Sequence, residues 1–424
     1  MCSSQQADRW VLCPQCDLMV QLPELQLGSK ANCPRCETML LASWHEPQMR
    51  PTAYALAALL MLVLANLFPF ATMRVAGLSS EITLMRIPQV MVSENYSSLA
   101  TLFMLFVQAL PALCMVAILL LVNPVGLPLS IKRVMAKMLF CIKNWGMAEI
   151  FLAGVLVSFV KLMAYGDIGI GTSFIPWCFF CLLQVRAFQC IDRRSLWARI
   201  APVPALPVSP VPAVSGLHQG LRSCRCCTAV LVAGQVTCPR CTTNGYIRHR
   251  HSLQCTLALL VTSFLLYIPA NLMPVMVTET LGNKITSTIM AGVILLWSEG
   301  SWPIALVIFI ASIMVPSLKM LAIGWLCWDA SGKGKMHQDS DKMHKIYDVV
   351  EFVGRWSMID VFVIAILSAL VRMGQLMSIY PAMGALLFAM VVILTMFAAM
   401  TFDPRLSWDR VSEKSPEEPS IEGK

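Results

Sequence analysis

The sequence is poor in charged residues. Asp, Glu, Lys and Arg make up 13% of its 424 residues, against roughly 25% in soluble globular domains. Hydrophobic residues make up 57%. This composition excludes an ordinary soluble domain and indicates an integral membrane protein.

Other absences narrow the function. The sequence has no Gly-x-x-x-x-Gly-Lys-Ser/Thr loop, so ATP is not expected to be its own energy source, and a transmembrane proton gradient is the natural alternative. It lacks the paired intramembrane histidines that would hold a haem. Its first fifty residues contain no apolar segment, so we expect no secretory signal and expect the first span to direct insertion.

What the chain does have is the same pattern twice. Asn66-Leu-Phe-Pro-Phe70 recurs 205 residues later as Asn271-Leu-Met-Pro-Val275. Further landmarks keep that offset, namely Cys33 and Cys238, Cys36 and Cys241, Ser93 and Ser298, and Pro111 and Pro316. After a slip of six residues, Trp145-Gly-Met-Ala-Glu149 falls on Trp356-Ser-Met-Ile-Asp360. A duplicated membrane module of this kind is typical of transporters.

Each copy contains four apolar stretches of about the length that crosses a bilayer. They run over residues 53–72, 97–122, 146–165, 170–189, 253–273, 303–328, 356–374 and 379–402. The shorter apolar segment 286–297 is interpreted as an interfacial helix. The sequence therefore predicts eight spans.

Orientation follows from the basic residues, because loops on the cytoplasmic side are enriched in Lys and Arg. The predicted inner segments contain 25 Lys and Arg, against three in the outer loops. We therefore predict that both termini and both cysteine clusters are cytoplasmic. An even number of spans per copy makes the copies parallel repeats, related by an axis along the membrane normal. This bias explains the net charge of +8, so no nucleic-acid partner is expected.

Four Cys-x-x-Cys motifs provide the clearest chemistry, two ahead of each group of spans. The cysteines are Cys13, Cys16, Cys33 and Cys36 in the first copy, and Cys224, Cys227, Cys238 and Cys241 in the second. Four thiolates can enclose one tetrahedral zinc ion with no open position, so we predict two structural Zn²⁺ sites in two small zinc ribbons. Disulfides are disfavoured in the reducing cytoplasm. Iron in place of zinc, a metal-free second site, and Cys226 as a ligand remain open.

The predicted fold is an all-α polytopic membrane protein with two tandem four-helix modules, each preceded by a cytoplasmic zinc ribbon. The predicted parts are 1–52 (first ribbon), 53–189 (first module), 190–252 (linker and second ribbon), 253–402 (second module) and 403–424 (disordered cytoplasmic tail).

Charged residues within spans are costly, so they indicate function. Glu149 and Asp360 occupy matching positions, whereas the mid-span Lys319 has Cys114 as its counterpart. We predict that Lys319 and Asp360 meet and couple transport to proton movement, and that neighbouring polar groups complete the cluster, namely Ser312, Ser357 and Thr395. A purely structural ion pair is the alternative.

The sequence resembles the paraquat-inducible protein A family of Gram-negative inner-membrane proteins. The motifs that carry the resemblance are the Cys-Pro-x-Cys turns, Arg50-Pro-Thr-Ala-Tyr-Ala55, Gly354-Arg-Trp-Ser-Met-Ile-Asp360 and Phe402-Asp-Pro-Arg-Leu-Ser-Trp-Asp409. The resemblance implies a multi-pass protein of the inner membrane that partners a periplasmic MCE-domain protein, with phospholipid as cargo.

The favoured interpretation is a lipid transporter subunit and not an enzyme. Two alternatives stay open, a membrane redox or stress protein, favoured by 17 cysteines, and a passive scaffold that anchors the periplasmic partner. Lipid movement measured with and without a pH gradient discriminates among them.

Overall fold

The computed structural model describes most of the chain. The described residues are 9–75, 78–162, 167–206, 208–248, 251–280, 283–298, 300, 302–331, 349, 354, 356–371, 377–406 and 408–409.

The described part of the chain is mostly helical. In chain order the helices are α1 Met49–Leu67, α2 Arg86–Ser93, α3 Ser97–Phe103, α4 Leu110–Val122, α5 Leu129–Ile142, α6 Ala148–Leu162, α7 Phe174–Gln189, α8 Arg193–Ile200, α9 Ser252–Leu272, α10 Ile289–Ser298, α11 Trp302–Phe309, α12 Val315–Ala330, α13 Ile359–Leu370 and α14 Met383–Thr401. The strands are β1 Trp10–Leu12, β2 Met19–Gln21, β3 Lys30–Asn32, β4 Met39–Ala42, β5 Ala71–Val75, β6 Leu78–Ile82, β7 Asp167–Ile170, β8 Leu221–Ser223, β9 Val230–Val232, β10 Met276–Thr280, β11 Asn283–Ser287 and β12 Met377–Pro381.

Six helical stretches among the described residues are long and apolar enough to cross a membrane. They are Met49–Leu67, Ser97–Val122, Leu129–Phe159, Ser252–Leu272, Ile310–Ala330 and Met383–Thr401. The count becomes seven if α7 and α8, which are bent by 68° at a short break, form one span. The chain is therefore a multi-pass membrane protein.

The predicted count of eight spans differs from this in two places. The predicted fourth span, 170–189, is the first half of the bent pair. The predicted seventh span, 356–374, contains the 12-residue helix α13, and its residues 372–374 lie outside the described part of the chain. The eight-span arrangement stays a prediction.

The two repeats have the same order of elements. Strands β5 and β6 lie one repeat before β10 and β11, since Ala71–Val75 and Met276–Thr280 are separated by the same 205 residues as the sequence motifs. The apolar segment 286–297, predicted as an interfacial helix, contains most of α10, which corresponds to α2. The duplication seen in the sequence is thus a duplication of structure.

Each repeat also contains a three-stranded antiparallel sheet, which the all-α prediction missed. The strand orders are β6-β5-β7 and β11-β10-β12. The third strand comes from far along the chain, with Thr72 opposite Gly169 and Thr278 opposite Ile379. Such short strands with distant partners leave little local signal. Both sheets follow the C-terminal end of a spanning helix whose N-terminal end follows a cysteine cluster, so sheets and clusters lie on opposite sides of the membrane.

The spans of the two repeats share two irregularities, one at their asparagines and one before their prolines. Asn66 and Asn271 end α1 and α9 by donating from Nδ2 to the carbonyl four residues back, each at 2.8 Å. A π-helical segment precedes Pro111 and another, Ile310–Met314, precedes Pro316. Proline has no N–H for the carbonyl four residues earlier, which favours such local widening.

The core joins the two repeats. Phe151 of α6 lies at the centre of an aromatic cluster, with its ring centroid 5.2 Å from that of Phe103, 5.5 Å from Trp177 and 5.9 Å from Phe362. Phe362 belongs to α13 of the second repeat. The repeats therefore share one apolar core.

Candidate functional site

All four Cys-x-x-Cys motifs adopt the same turn. The residue after each second cysteine has a left-handed backbone, with φ between 56° and 58°, at Asp17, Glu37, Thr228 and Thr242. Its N–H donates to the carbonyl of the first cysteine at 2.8–3.0 Å. Such a turn brings two thiols to one side of a tight hairpin, and pairing two turns produces a four-sulfur site.

The turns bring the predicted cysteines together in two buried quartets. In the first, Cys13 Sγ lies 3.4 Å from Cys36 Sγ, and Cys16 Sγ lies 3.6 Å from Cys33 Sγ. In the second, the cross pairs Cys224–Cys241 and Cys227–Cys238 are both at 3.5 Å. We call these quartets, with their hairpins, the first and second cysteine modules.

The quartets fit a tetrahedral metal ion. All four ligand atoms of each quartet lie within 4.8 Å of one another, and sulfurs about 2.3 Å from a central zinc would lie about 3.8 Å apart. These separations are far from a disulfide bond of about 2.05 Å. Cys227 is fully buried within the second quartet and Cys226 is only half-buried beside it, so the structure places Cys227 and not Cys226 among the four.

Hydrogen bonds among the close thiols lower the pKa of two cysteines in each quartet and raise the pKa of the other two. Hydrogen bonds from Cys13 and Cys16 lower the pKa of Cys33 to about 7. Those from Cys227 and Cys238 lower the pKa of Cys224 to about 6. Thiolates are the form that binds metal.

Partly buried ion pairs connect the cysteine modules to the C-terminal segment 403–409. Arg248 Nη2 donates to Asp17 Oδ2 at 2.7 Å and to Asp409 Oδ1 at 2.6 Å. Burial alone would lower the pKa of Arg248, but hydrogen bonds to Asp409 and Asp17 outweigh it and raise the pKa. Asp403 accepts from Arg225 at 2.6 Å and from Arg405 Nε at 2.9 Å. We call this set the ionic latch.

The latch corrects the prediction of a disordered tail from residue 403. Asp403, Arg405 and Trp408 are buried, and the guanidinium of Arg35 lies 4.3 Å over the Trp408 ring. The segment 403–409 is therefore packed, because its charged groups find partners in both cysteine modules. Residues 410–424 lie outside the described part of the chain.

A second candidate site lies in the membrane region. Lys319 of α12 is 3% exposed. Its Nζ donates to Thr395 Oγ1 of α14 at 3.2 Å and to the carbonyl of Gly354 at 3.5 Å. The structure thus brings together two of the predicted polar residues, and the acceptors shown are neutral oxygens.

Gly354 allows the close approach of the lysine. A Cβ at this position would lie 2.8 Å from both Lys319 Cε and Nζ. The absence of a side chain leaves room for the ammonium. Gly354 stands in one of the sequence motifs, but no role was predicted for it.

The other predicted residues have separate surroundings. Ser312 is buried within the π-helical segment of the second repeat, and the buried Ser357 hydroxyl has no hydrogen-bond partner among the described residues. Glu149 is half-buried in the first turn of α6. Asp360 belongs to α13, but its side chain lies outside what the structure describes, so its pairing with Lys319 stays a prediction.

The family follows from a comparison with known proteins. A family model for paraquat-inducible protein A matches residues 49–201 and 253–412. The chain belongs to the paraquat-inducible protein A family. The two matched segments coincide with the two repeats and leave out most of each cysteine module.

Relatives in this family match the chain nearly end to end. The chain is 67% identical over 418 residues to the intermembrane transport protein PqiA of Escherichia coli strain K12, covering 99% of this chain and 100% of that one. It is 29% identical over 399 residues to the lipophilic envelope-spanning tunnel protein A of the same organism, covering 94% and 90%. It is 27% identical over 412 residues to a probable intermembrane transport protein of Haemophilus influenzae, covering 93% and 95%. No solved structure matches the chain.

Proposed function

We propose that this chain is the inner-membrane subunit of an intermembrane lipid transport system, passing phospholipid between the inner membrane and a periplasmic MCE-domain partner. The observation that carries the proposal is the 67% identity across 99% of the chain to a protein named for intermembrane transport. The multi-pass fold supports it, because a carrier between membranes must contact the bilayer.

In this proposal the cysteine modules are cytoplasmic and the three-stranded sheets are periplasmic. The excess of Lys and Arg around the cysteine modules supports this orientation. The sheets are then the part of the chain that meets the periplasmic partner.

We propose that Lys319 couples transport to a proton gradient. Burial of an ammonium costs free energy unless it is well compensated, so such groups within spans usually mark function. The lysine joins α12 to α14 through Thr395. Loss of its proton would weaken that contact and free the helices to rearrange. Asp360, Ser312, Ser357 and, in the first repeat, Glu149 would supply the remaining polar groups of the path.

We propose that both quartets hold zinc in a structural role. Four cysteine ligands leave no open position for water or substrate. The modules would therefore supply rigidity and a docking surface, which agrees with a transporter subunit that is not an enzyme.

The deciding experiment is reconstitution of the chain with its MCE-domain partner in vesicles. Labelled phospholipid should move to acceptor vesicles faster when a pH gradient is imposed. Lipid transfer at the same rate with and without the pH gradient would contradict proton coupling. No lipid transfer under either condition would indicate a scaffold.

A further inference from the structure

A cavity of about 410 Å³ lies between the first cysteine module and the first repeat. Leu25, Leu41 and Trp44 form its wall on the side of the cysteine module. Val122 and Leu196 form the opposite wall. Its volume is in the range of small-molecule binding sites, and its walls are mainly apolar.

The cavity is at the depth of the membrane surface. Val122 is the last residue of α4, Cys190 directly follows α7, and Pro47 precedes α1 by two residues. Three helices of the membrane region therefore begin or end at this cavity. Trp44 fits such a position, since tryptophan is enriched at membrane interfaces.

The charged groups around the cavity are mainly basic. Arg199 lines it directly. Arg50 and Arg186 are three residues after Pro47 and four residues before Cys190, and both of these residues line the cavity.

Asp192 is an acidic neighbour, because its carboxylate accepts from the N–H of the lining residue Ser195 at 3.1 Å. Glu46 is an exposed carboxylate 3.9 Å from Arg50, and the two carboxylates offset part of the positive charge. The surroundings remain net positive.

We propose that this cavity binds an anionic phospholipid from the leaflet on the side of the cysteine modules, with an acyl chain against Trp44 and the phosphate facing Arg199. Apolar walls beside guanidinium groups match a molecule with an apolar chain and an anionic head. A free phosphate would leave the apolar walls uncovered. The proposal rests on the membrane location of the chain and does not depend on lipid transport.

The test uses fluorescence quenching by lipids brominated on their acyl chains. The full chain is placed in nanodiscs of phosphatidylcholine that contain increasing fractions of brominated phosphatidylglycerol, and in matched discs with brominated phosphatidylcholine. The contribution of Trp44 is the difference between the unmodified chain and Trp44→Phe. We expect it to be quenched at a much lower fraction of brominated phosphatidylglycerol than of brominated phosphatidylcholine.

Two variants test the arginine. Arg199→Gln should raise the fraction of brominated phosphatidylglycerol at half-quenching by about fivefold, as expected for one basic group near an anionic lipid. Arg199→Lys should restore most of the effect. Lys132→Gln is the control, because Lys132 lies on the same side of the membrane but does not line the cavity. Folding is checked by size-exclusion chromatography.

Three results would overturn the proposal. Equal quenching by both brominated lipids would show that no anionic head is recognised. An unchanged fraction of brominated phosphatidylglycerol at half-quenching in Arg199→Gln would show that Arg199 does not bind the lipid. If inorganic phosphate abolishes the Trp44 quenching at constant ionic strength, the site recognises soluble anions and not a lipid.

Discussion

A buried lysine within a span distinguishes the two repeats. In the second repeat Lys319 is buried and faces Gly354, whereas its counterpart in the first repeat is Cys114. The first repeat instead has Lys143 at the position that corresponds to Gly354. Lys143 is only half-buried and donates to the carbonyl of Phe188 at 3.2 Å. The second repeat thus has a buried lysine, whereas the lysine of the first repeat is only half-buried. Proton coupling is therefore best tested in the second repeat.

Removing the buried charge should abolish transport but leave the protein folded. We expect Lys319→Ala and Asp360→Asn to yield normal amounts of partner-bound protein without proton-driven lipid movement, because the group that changes charge is gone. Cys114→Ala, at the corresponding position of the first repeat, should transport normally. Loss of folded protein in step with loss of transport would show instead that the groups serve a structural ion pair.

A methyl group at Gly354 should displace the lysine. Gly354→Ala places a Cβ 2.8 Å from the present positions of Lys319 Cε and Nζ, so the ammonium must shift from its present position beside Thr395. We expect lipid movement to fall by roughly tenfold or more, since misplacement by about 1 Å is enough to impair a positioned group.

The matched control for this substitution is Gly324→Ala on the same helix as Lys319. A Cβ there would meet its nearest atom, Leu260 Cδ2, at 4.0 Å. Alanine is favoured over glycine within helices, so transport should be unchanged. Equal losses in both variants would show that any added methyl group is harmful.

The two cysteine modules differ in how they are attached. The cysteines of the second module belong to the main apolar core, whereas those of the first form a separate cluster that includes Trp408. The first module is held by the ionic latch and the C-terminal segment, by a small cluster in which Leu12 and Met19 pack against Leu221 and Val230, and by backbone hydrogen bonds to residues 213–216. This difference makes the modules separable by mutation.

Metal content should identify the ligands. The purified chain should contain about two zinc ions, and Cys227→Ser should retain about one, because three thiolates no longer close the second site. Cys226→Ser should retain about two, since Cys226 lies outside the quartet. Elemental analysis measures both, and a metal loss in Cys226→Ser equal to that in Cys227→Ser would contradict this choice of ligands.

The latch should contribute measurably to stability. Asp17→Asn preserves the left-handed turn, which asparagine tolerates, but removes a buried carboxylate from Arg248. We expect the free energy of unfolding to fall by about 2 kcal/mol or more, with zinc content unchanged. Glu24→Gln, which breaks the exposed pair with Arg9, should have little effect. Thermal unfolding of the two variants compares them directly.

Some elements were predictable because their signals are local. Cys-x-x-Cys spacing indicates the turns, and long apolar stretches indicate most of the spans. The two three-stranded sheets were not predictable, because β7 and β12 pair with strands far away in the sequence. The latch was missed for a similar reason. Asp17, Arg248 and Asp409 are 161 or more residues apart, and charged residues near a terminus ordinarily indicate solvated chain.

The candidate site in the spans was predictable only in part. Lys319, Ser312 and Thr395 stand out because polar groups are rare in apolar stretches. Their contacts depend on how α12 and α14 pack, which no local pattern specifies. Gly354 was missed as a positioning residue because an absent side chain gives no chemical signal.

At the scale of the whole molecule, the repeats share one core but present different groups to it. Gly154 of α6 packs against α13, where an added Cβ would lie 3.3 Å from Phe362 Cβ. A movement of α13 in the second repeat would therefore alter the packing of α6 in the first repeat. The arrangement gives the cysteine modules one side of the membrane and the two sheets the other.

Labelling of introduced cysteines should confirm that arrangement. In a chain whose exposed native cysteines are replaced, Glu81→Cys and Glu279→Cys should react with an impermeant reagent added outside the inner membrane. Met135→Cys and Gln338→Cys should react only after permeabilisation. Reaction of Gln338→Cys from outside would overturn the proposed topology.

The pairing of β5 with β7 imposes an order on biogenesis. The hairpin β5–β6 leaves the ribosome long before its third strand, because Thr72 contacts Gly169 across 97 residues. Until α6 has crossed the bilayer, the β5 edge stays open on the far side, where it can pair with another chain. The second repeat meets the same delay between β10 and β12. A nascent chain arrested between these strands therefore exposes an unprotected edge, and each repeat completes its sheet only after its own later helices have inserted.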